Sequence, residues 1–319
     1  MRLTAREIEI LEFIKKHPMI SQEELARHFG ITRSSVAVHI SNLMKKGAIM
    51  GKGYVVNEQV SIVVIGRVFL EINIYGLGHA AQIDLRYAGF ALESCKALKG
   101  LGLHLKVVSM VGNDDLALDL VEELQSREAD IAYLVRHSDK RSSRIVRVDG
   151  RIAYEEGFDL GDYEETISQK EWVAVNCHWL LIEPVFIDFA AHKWMDRDQE
   201  RLPYMCTSLM VDSADQIPES ISRFSVAVLG VRDALEVEKC AGLLLERMGQ
   251  GYALVSDGDT CLLYIDNGSM LEFPLLPSQK FNPEKTLPYL LGGMVYGLSS
   301  GYNARQAIRM AVGSACGNN

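Results

Sequence analysis

The sequence predicts an α/β protein: a three-layer α/β/α sandwich with a small β lid, preceded by a small helical domain. Three observations lead there. Short apolar runs of the buried-strand kind recur at 62–66, 105–110, 179–182, 226–229 and 252–255. Helical segments at 90–101, 115–126, 187–195, 233–248 and 286–299 separate most of them, and such alternation implies a mostly parallel sheet covered on both faces. The first sixty residues read instead as three short helices and a two-stranded wing, which sets domains at 1–57 and 58–319.

A chain of 319 residues with 48% hydrophobic content is long enough for one large α/β domain and a small one. Its six cysteines lie far apart with no C-x-x-C pair, which points away from a zinc site or a disulfide framework and towards free thiols in a reducing cytosol. No apolar run approaches the ~20 residues of a membrane span, and the start lacks the apolar core of a signal peptide. A cytoplasmic protein with no membrane partner is expected. The net charge of −9 is unevenly spread: residues 1–60 hold nine Lys/Arg against six Glu, and the remainder 24 against 36 Asp/Glu. A basic terminus on an acidic body suits a nucleic-acid-binding appendage, although a solvated surface explains the modest excess nearly as well.

In the first domain, Thr4 and Glu7 form a capping box ahead of Ile8, Leu11 and Ile14 at helical spacing, and His17-Pro18 stops that helix. Ser21 and Glu24 open a second helix that carries Leu25 and ends at Phe29-Gly30, where glycine takes the left-handed cap. Thr32 caps a third, from Arg33 to Lys46, closed by Gly47. The tight connection Gly30-Ile31-Thr32 is helix-turn-helix spacing, and 48–56 reads as a wing with glycines at its tip. On the third helix Val36, Ile40 and Leu43 form a core stripe, while Ser35, His39, Asn42 and Lys46 form a polar one rotated by about 100°. The start of such a helix enters the major groove, so Arg33, Ser34, Ser35 and His39 are candidates for base edges. Lys45, Lys46 and the wing's Lys52 would meet phosphates. The competing reading is a three-helix interaction module whose polar stripe is merely solvated. The segment, with its second helix at 18–26, resembles the winged helix-turn-helix of bacterial regulators, which implies DNA as a partner.

In the second domain, Arg144–Val148 and 151–154 flank Asp149-Gly150 as a β-hairpin, suggesting a lid or intersubunit flap outside the main sheet. A first strand ends at Gly66, Ala88-Gly89 precedes a helix closing at Leu101-Gly102, and Val107 leads to Val111-Gly112-Asn113-Asp114. In these features and their order, residues 61–315 resemble the PfkB (ribokinase-like) carbohydrate kinases, whose V-G-x-D matches the last group. The helix carrying Gly292, Gly293 and Tyr296 resembles the one behind that family's active-site loop. The resemblance implies a ribokinase-like sandwich and four ligand positions: Glu71, Gly89, Glu93 and Lys285. Glu71 and Glu93 read equally well as solvated, or as partners of Arg144 or Arg147, and Lys285 as an idle exposed lysine.

Departures from the family pattern bear on chemistry. The family's substrate-holding N-x-D aligns with Phe69 and Glu71, its Gly-Gly with Ala88-Gly89, and its substrate-binding Asn with Glu93. Its N-x-x-E, associated with metal and phosphate, falls on Arg232-Asp233-Ala234-Leu235. In the D-x-x-G-A-G-D loop, which holds the transferring phosphate on backbone N–H groups and supplies the base, the first Asp aligns with Asn282, the glycines with Lys285 and Thr286, and the base with Leu287. Leucine accepts no proton, Pro288 donates no N–H, and no Asp lies between Gly268 and Asn319. Glu284 is the only nearby carboxylate, and no residue set with metal-ligand spacing stands out. The expected protein is therefore a transcriptional regulator with a pseudokinase domain. It needs no catalytic residue and no cofactor, senses a sugar, a nucleoside or a phosphorylated derivative, and pairs as a homodimer. The alternative is an active sugar or nucleoside kinase, using ATP and Mg²⁺, with a DNA-binding appendage.

Overall fold

A computed structural model describes residues 4–17, 20–45, 49, 61–76, 81–103, 105–194, 202–248 and 251–318. The chain forms two compact units, Met1–Val60 and Ser61–Asn319. The expected boundary between 57 and 58 lies outside the described residues, as does the expected wing apart from Ile49.

The first unit holds α1 (Ala5–Lys16), α2 (Gln22–Phe29) and α3 (Arg33–Lys45). Both capping boxes form: Glu7 N–H donates to Thr4 Oγ1 at 3.2 Å, and Ser21 N–H donates to Glu24 Oε2 at 2.8 Å. Gly30 ends α2 at φ 63°. Ile10, Leu11 and Ile14 of α1 bury against Leu25, Ala26, Val36, Ile40, Leu43 and Ile49. The expected place of Ile8 in this core is corrected. Ile8 is 47% exposed, because the inward stripe of α1 is carried by Ile10, Leu11 and Ile14.

The second unit opens with β1 (Ile62–Ile65), β2 (Phe69–Tyr75), β3 (Gln82–Ala88), α4 (Phe90–Lys99), β4 (Leu105–Val111) and α5 (Asp115–Ser126). Next come β5 (Ala129–Asp130), β6 (Leu134–Arg136), β7 (Arg144–Val148), β8 (Arg151–Glu156), α6 (Leu160–Gln169) and α7 (Glu171–Ala174). β9 (Trp179–Ile182), α8 (Ile187–Lys193), β10 (Tyr204–Val211), β11 (Val226–Val231) and α9 (Ala234–Met248) follow. β12 (Tyr252–Ser256), β13 (Cys261–Asp266), β14 (Ser269–Pro274), α10 (Pro283–Ser299) and α11 (Ala304–Cys316) complete it.

The main sheet runs β14-β13-β12-β11-β10-β9-β1-β4-β5, with β6 also on β4. It is parallel from β12 to β4, and antiparallel where β13 and β14 join. β1, β9 and β11 are buried along their whole length, which is why they read as continuous apolar runs. β10 sits at the sheet's centre yet carries Thr207 and Ser208, both buried. Thr207 donates its hydroxyl to the Ile182 carbonyl at 2.8 Å, so the polar atom is satisfied inside the core. On one flank α10 and α11 cross in near contact. A Cβ on Gly293 would lie 2.6 Å from Ala311 Cα, and one on Gly297 2.5 Å from Ala307 Cα, so only glycine permits this crossing.

The lid is a separate four-stranded sheet, β3-β2-β7-β8, with its hairpin turning at Asp149 (φ 47°) and Gly150 (φ 81°). Its two faces differ. Cross-strand register puts Leu85, Ile72, Val146 and Tyr154 in one row, and Arg86, Glu71, Ile145 and Glu155 in a row on the opposite face. Among the described residues, no helix is long and apolar enough to cross a membrane.

Candidate functional site

In open parallel sheets ligands bind beyond the C-terminal strand ends. Here those ends carry Arg67 after β1, Gly112 after β4, Glu183 after β9, Asp212 after β10, Arg232 after β11 and Asp257 after β12. The Arg67 backbone N–H donates to Glu183 Oε2 at 2.6 Å and its Nε to Oε1 at 2.8 Å. The same guanidinium reaches Glu155 on the lid at 3.6 Å. Burial opposes the Arg67 charge, but the Glu183 carboxylate outweighs it and raises the pKa. Arg67 thus ties the strand ends to the lid's polar face.

Of the four expected ligand positions, Glu71, Gly89 and Glu93 are engaged within the protein. Glu71 is 5% exposed and accepts from Arg147 Nε at 2.8 Å, from Arg86 Nε at 2.5 Å and from Asn73 Nδ2 at 3.3 Å. Burial acts to raise its pKa; the bonds from Arg147 and Arg86 prevail and hold it below the usual carboxylate value. Of the two arginines weighed from sequence, Arg147 pairs with Glu71, while Arg144 binds Asp114 at 2.8 Å. Asp114 also accepts the Ser142 hydroxyl at 2.6 Å; against the raising effect of burial, these bonds lower its pKa. Gly89 adopts φ 115° where a Cβ would stand 2.2 Å from the Arg67 carbonyl oxygen, so its backbone is pressed against the chain after β1. Glu93 pairs with Lys96 at 2.9 Å, one turn along α4. Lys285 is exposed in the first turn of α10.

α10 begins at Asn282, whose side chain accepts from the Glu284 N–H at 3.0 Å. Set on Asn282, the seven-residue family pattern closes on Pro288, one position beyond Leu287. Neither side chain accepts a proton. Leu287 is 5% exposed and packs on Gly230 of β11, as part of the core. Glu284 is bonded by Arg232 Nε at 2.7 Å, and Arg232 also binds Asp212, so one guanidinium joins β10, β11 and α10. These bonds, from Glu284 foremost, raise the Arg232 pKa. Asp257 accepts from the Asp259 and Thr260 N–H groups at 3.0 and 2.9 Å and shapes a surface turn. Among the described residues, no group of three or more His, Cys, Asp or Glu is placed to hold a metal ion.

In the first unit, Thr32 Oγ1 accepts from the Ser35 N–H at 3.1 Å and lies 2.9 Å from its hydroxyl, so Ser35 serves the helix start. His39 is half-buried, with Nδ1 shielded from solvent and without a hydrogen-bond partner. Of the expected polar stripe, Ser35, His39 and Asn42 are therefore only half-exposed. Arg33, Ser34, Val38, Ser41, Met44 and Lys45 are the exposed ones, because packing on α1 and α2 turns the Ser35 side of α3 partly inward. Lys46 and Lys52 lie outside the described residues.

The two units thus pair a helix-turn-helix with the sandwich-and-lid architecture of ribokinase-like sugar kinases. Residues 3–50 match the family model described as winged helix-turn-helix DNA-binding. An Escherichia coli K12 protein described as the uncharacterized sugar kinase YeiI is 31% identical over 153 residues, which is 46% of this chain and 42% of that protein. The match thus spans less than half of that relative. A PfkB protein from Polaromonas sp. JS666 superposes with TM-score 0.62 at 15% identity, over 80% of this chain and 94% of its own. Ribokinase from Thermotoga maritima gives 0.58 at 15% identity, over 80% and 92%. At these identities the likeness establishes the fold: a ribokinase-like unit following a winged helix-turn-helix segment.

Proposed function

We propose that this protein is a DNA-binding transcriptional regulator whose ribokinase-like unit senses a small metabolite and does not transfer phosphate. The observation that carries the reading is the mouth of α10. A leucine in the core and a proline fill the end of the base motif, and the carboxylate in the first turn of α10, Glu284, is tied to Arg232. A general base must be within reach of the hydroxyl it deprotonates, and its carboxylate must be free to accept. A magnesium-nucleotide fits these residues poorly, because a guanidinium holding Asp212 and Glu284 occupies the position aligned with the family's metal and phosphate motif.

The effector, a sugar, a nucleoside or a phosphorylated derivative, would lie between the lid's polar face and the strand ends. On this reading Gly89, Glu93 and Lys285 would border that space; the Arg147–Glu71 and Arg67–Glu155 pairs support Glu71 and Arg67 as its charged wall. Binding that favours one lid position shifts DNA affinity by the difference in effector affinity between the two states. A homodimer supplies the two helices needed for half-sites about 34 Å apart. The second copy is assigned to the lid's apolar face, where Ile83 and Leu85 are each 62% exposed and Tyr154 55%. Light scattering on Leu85→Glu tests this: a variant of unchanged dimeric mass would remove the face from the interface. A cytoplasmic location belongs to the same reading, and DNA as partner is consistent with it.

The alternative, an active sugar or nucleoside kinase using ATP and Mg²⁺, draws on the description of the Escherichia coli relative and on Glu284 as a residual carboxylate. Gel retardation of the chain's own upstream DNA, at low salt and across a metabolite panel, tests the proposal. Retardation that one class of sugar or nucleoside strengthens or relieves is expected. No retardation under any condition would reject the regulator and leave a scaffold.

A further inference from the structure

The outward stripe of α3 contains one residue that its solvent-facing position does not favour. Val36, Ile40 and Leu43 are buried, and at about 100° per residue the side most nearly opposite them carries Ser34, Val38, Ser41 and Lys45. Val38 sits mid-stripe with 58% of its surface exposed. Valine there has below-average helix propensity and leaves apolar surface in water, and polar residues flank it one turn away on either side.

We propose that Val38 reads the C5-methyl group of a thymine in the major groove, with the Ser34 and Ser41 hydroxyls as its polar neighbours. The proposal rests on the DNA-binding reading above. Apart from the small C5–H of cytosine, every other group that a base pair displays at the major-groove edge is a hydrogen-bond donor or acceptor; the thymine methyl is the one sizeable apolar surface. A valine pressed on a donor or acceptor would strip it of water and return no bond, which costs affinity. Against a methyl, the same contact removes two apolar surfaces from water. Lys45 lies on the same side, at the end of the helix, where a phosphate contact would fix the register without reading sequence.

Selection of the full chain on duplexes randomised over about 30 base pairs, enough for two half-sites, supplies the probe. Its thymines are then replaced singly by deoxyuridine, which lacks only the methyl group. At one position per half-site, binding should weaken about three- to fivefold, the worth of one buried methyl. Val38→Ser should bind the two forms alike at that position while keeping the other sequence preferences and the thermal transition. Equal binding of thymine and deoxyuridine everywhere, or discrimination that survives in Val38→Ser, overturns the role of Val38 and leaves DNA binding intact. A pool that yields no enriched sequence overturns both.

Discussion

Replacing Glu71 by glutamine removes one negative charge from a side chain that faces two guanidinium groups. Arg86 is 58% exposed, so its share is that of a surface pair, below about 1 kcal/mol. Arg147 is 32% exposed and holds the carboxylate at 2.8 Å. That charge-assisted bond is worth about 1.5–3 kcal/mol, of which the amide oxygen recovers part. The combined loss is about 1–3 kcal/mol, or roughly 2–10 °C in Tm for a unit of this size. Calorimetry on the intact chain reads the shift. Hydrogen exchange should show protection lost first in β2 and β7, which Glu71 and Arg147 join. A variant that melts like the parent, yet no longer answers the metabolite that alters DNA binding, would refute this reasoning and make Glu71 a ligand contact.

Acid should act on the same place. Glu71 and Asp114 both have folded pKa values below their unfolded ones, about 4.3 and 3.9, so their stabilisation is complete above that range and is lost as pH falls through the folded values. Tm should hold between pH 7 and 5 and fall below about pH 4, less steeply in Glu71→Gln; an equal fall in both would contradict the assignment. Gly89→Ala, at φ 115° with 2.2 Å to the Arg67 carbonyl, should cost about 2–4 kcal/mol in urea unfolding, and a neutral result would mean the backbone there yields easily. Leu287→Asp puts a carboxylate at the expected base position, but inside the core; it should lose at least about 3 kcal/mol and gain no phosphoryl transfer. A stable, active variant would show that only the base was missing.

Sheet and lid were legible because their signals are local. β1, β9 and β11 are apolar throughout since both faces are covered, and Asp149-Gly150 specifies its own turn. β10 was not legible, as Thr207 and Ser208 interrupt its apolar run and the Thr207 hydroxyl is satisfied by a carbonyl 25 residues away. The expected base position was read from a contiguous motif, whereas the Arg232 bridge to Glu284 and the Arg67 bridge to Glu183 join residues 52 and 116 apart. Nothing periodic marks an isolated arginine after a strand. On α3 the spacing suggested a polar stripe through Ser35, His39 and Asn42, and only packing on α1 and α2 decides that Val38 faces out and His39 partly in.

The most direct measurement is phosphoryl transfer from labelled ATP, with Mg²⁺, to a panel of sugars and nucleosides, run beside a retardation assay on the same preparation. The expected result is DNA binding with no turnover above the no-protein control. Substrate-dependent turnover that Glu284→Gln abolishes would contradict it and make the cleft a working active site.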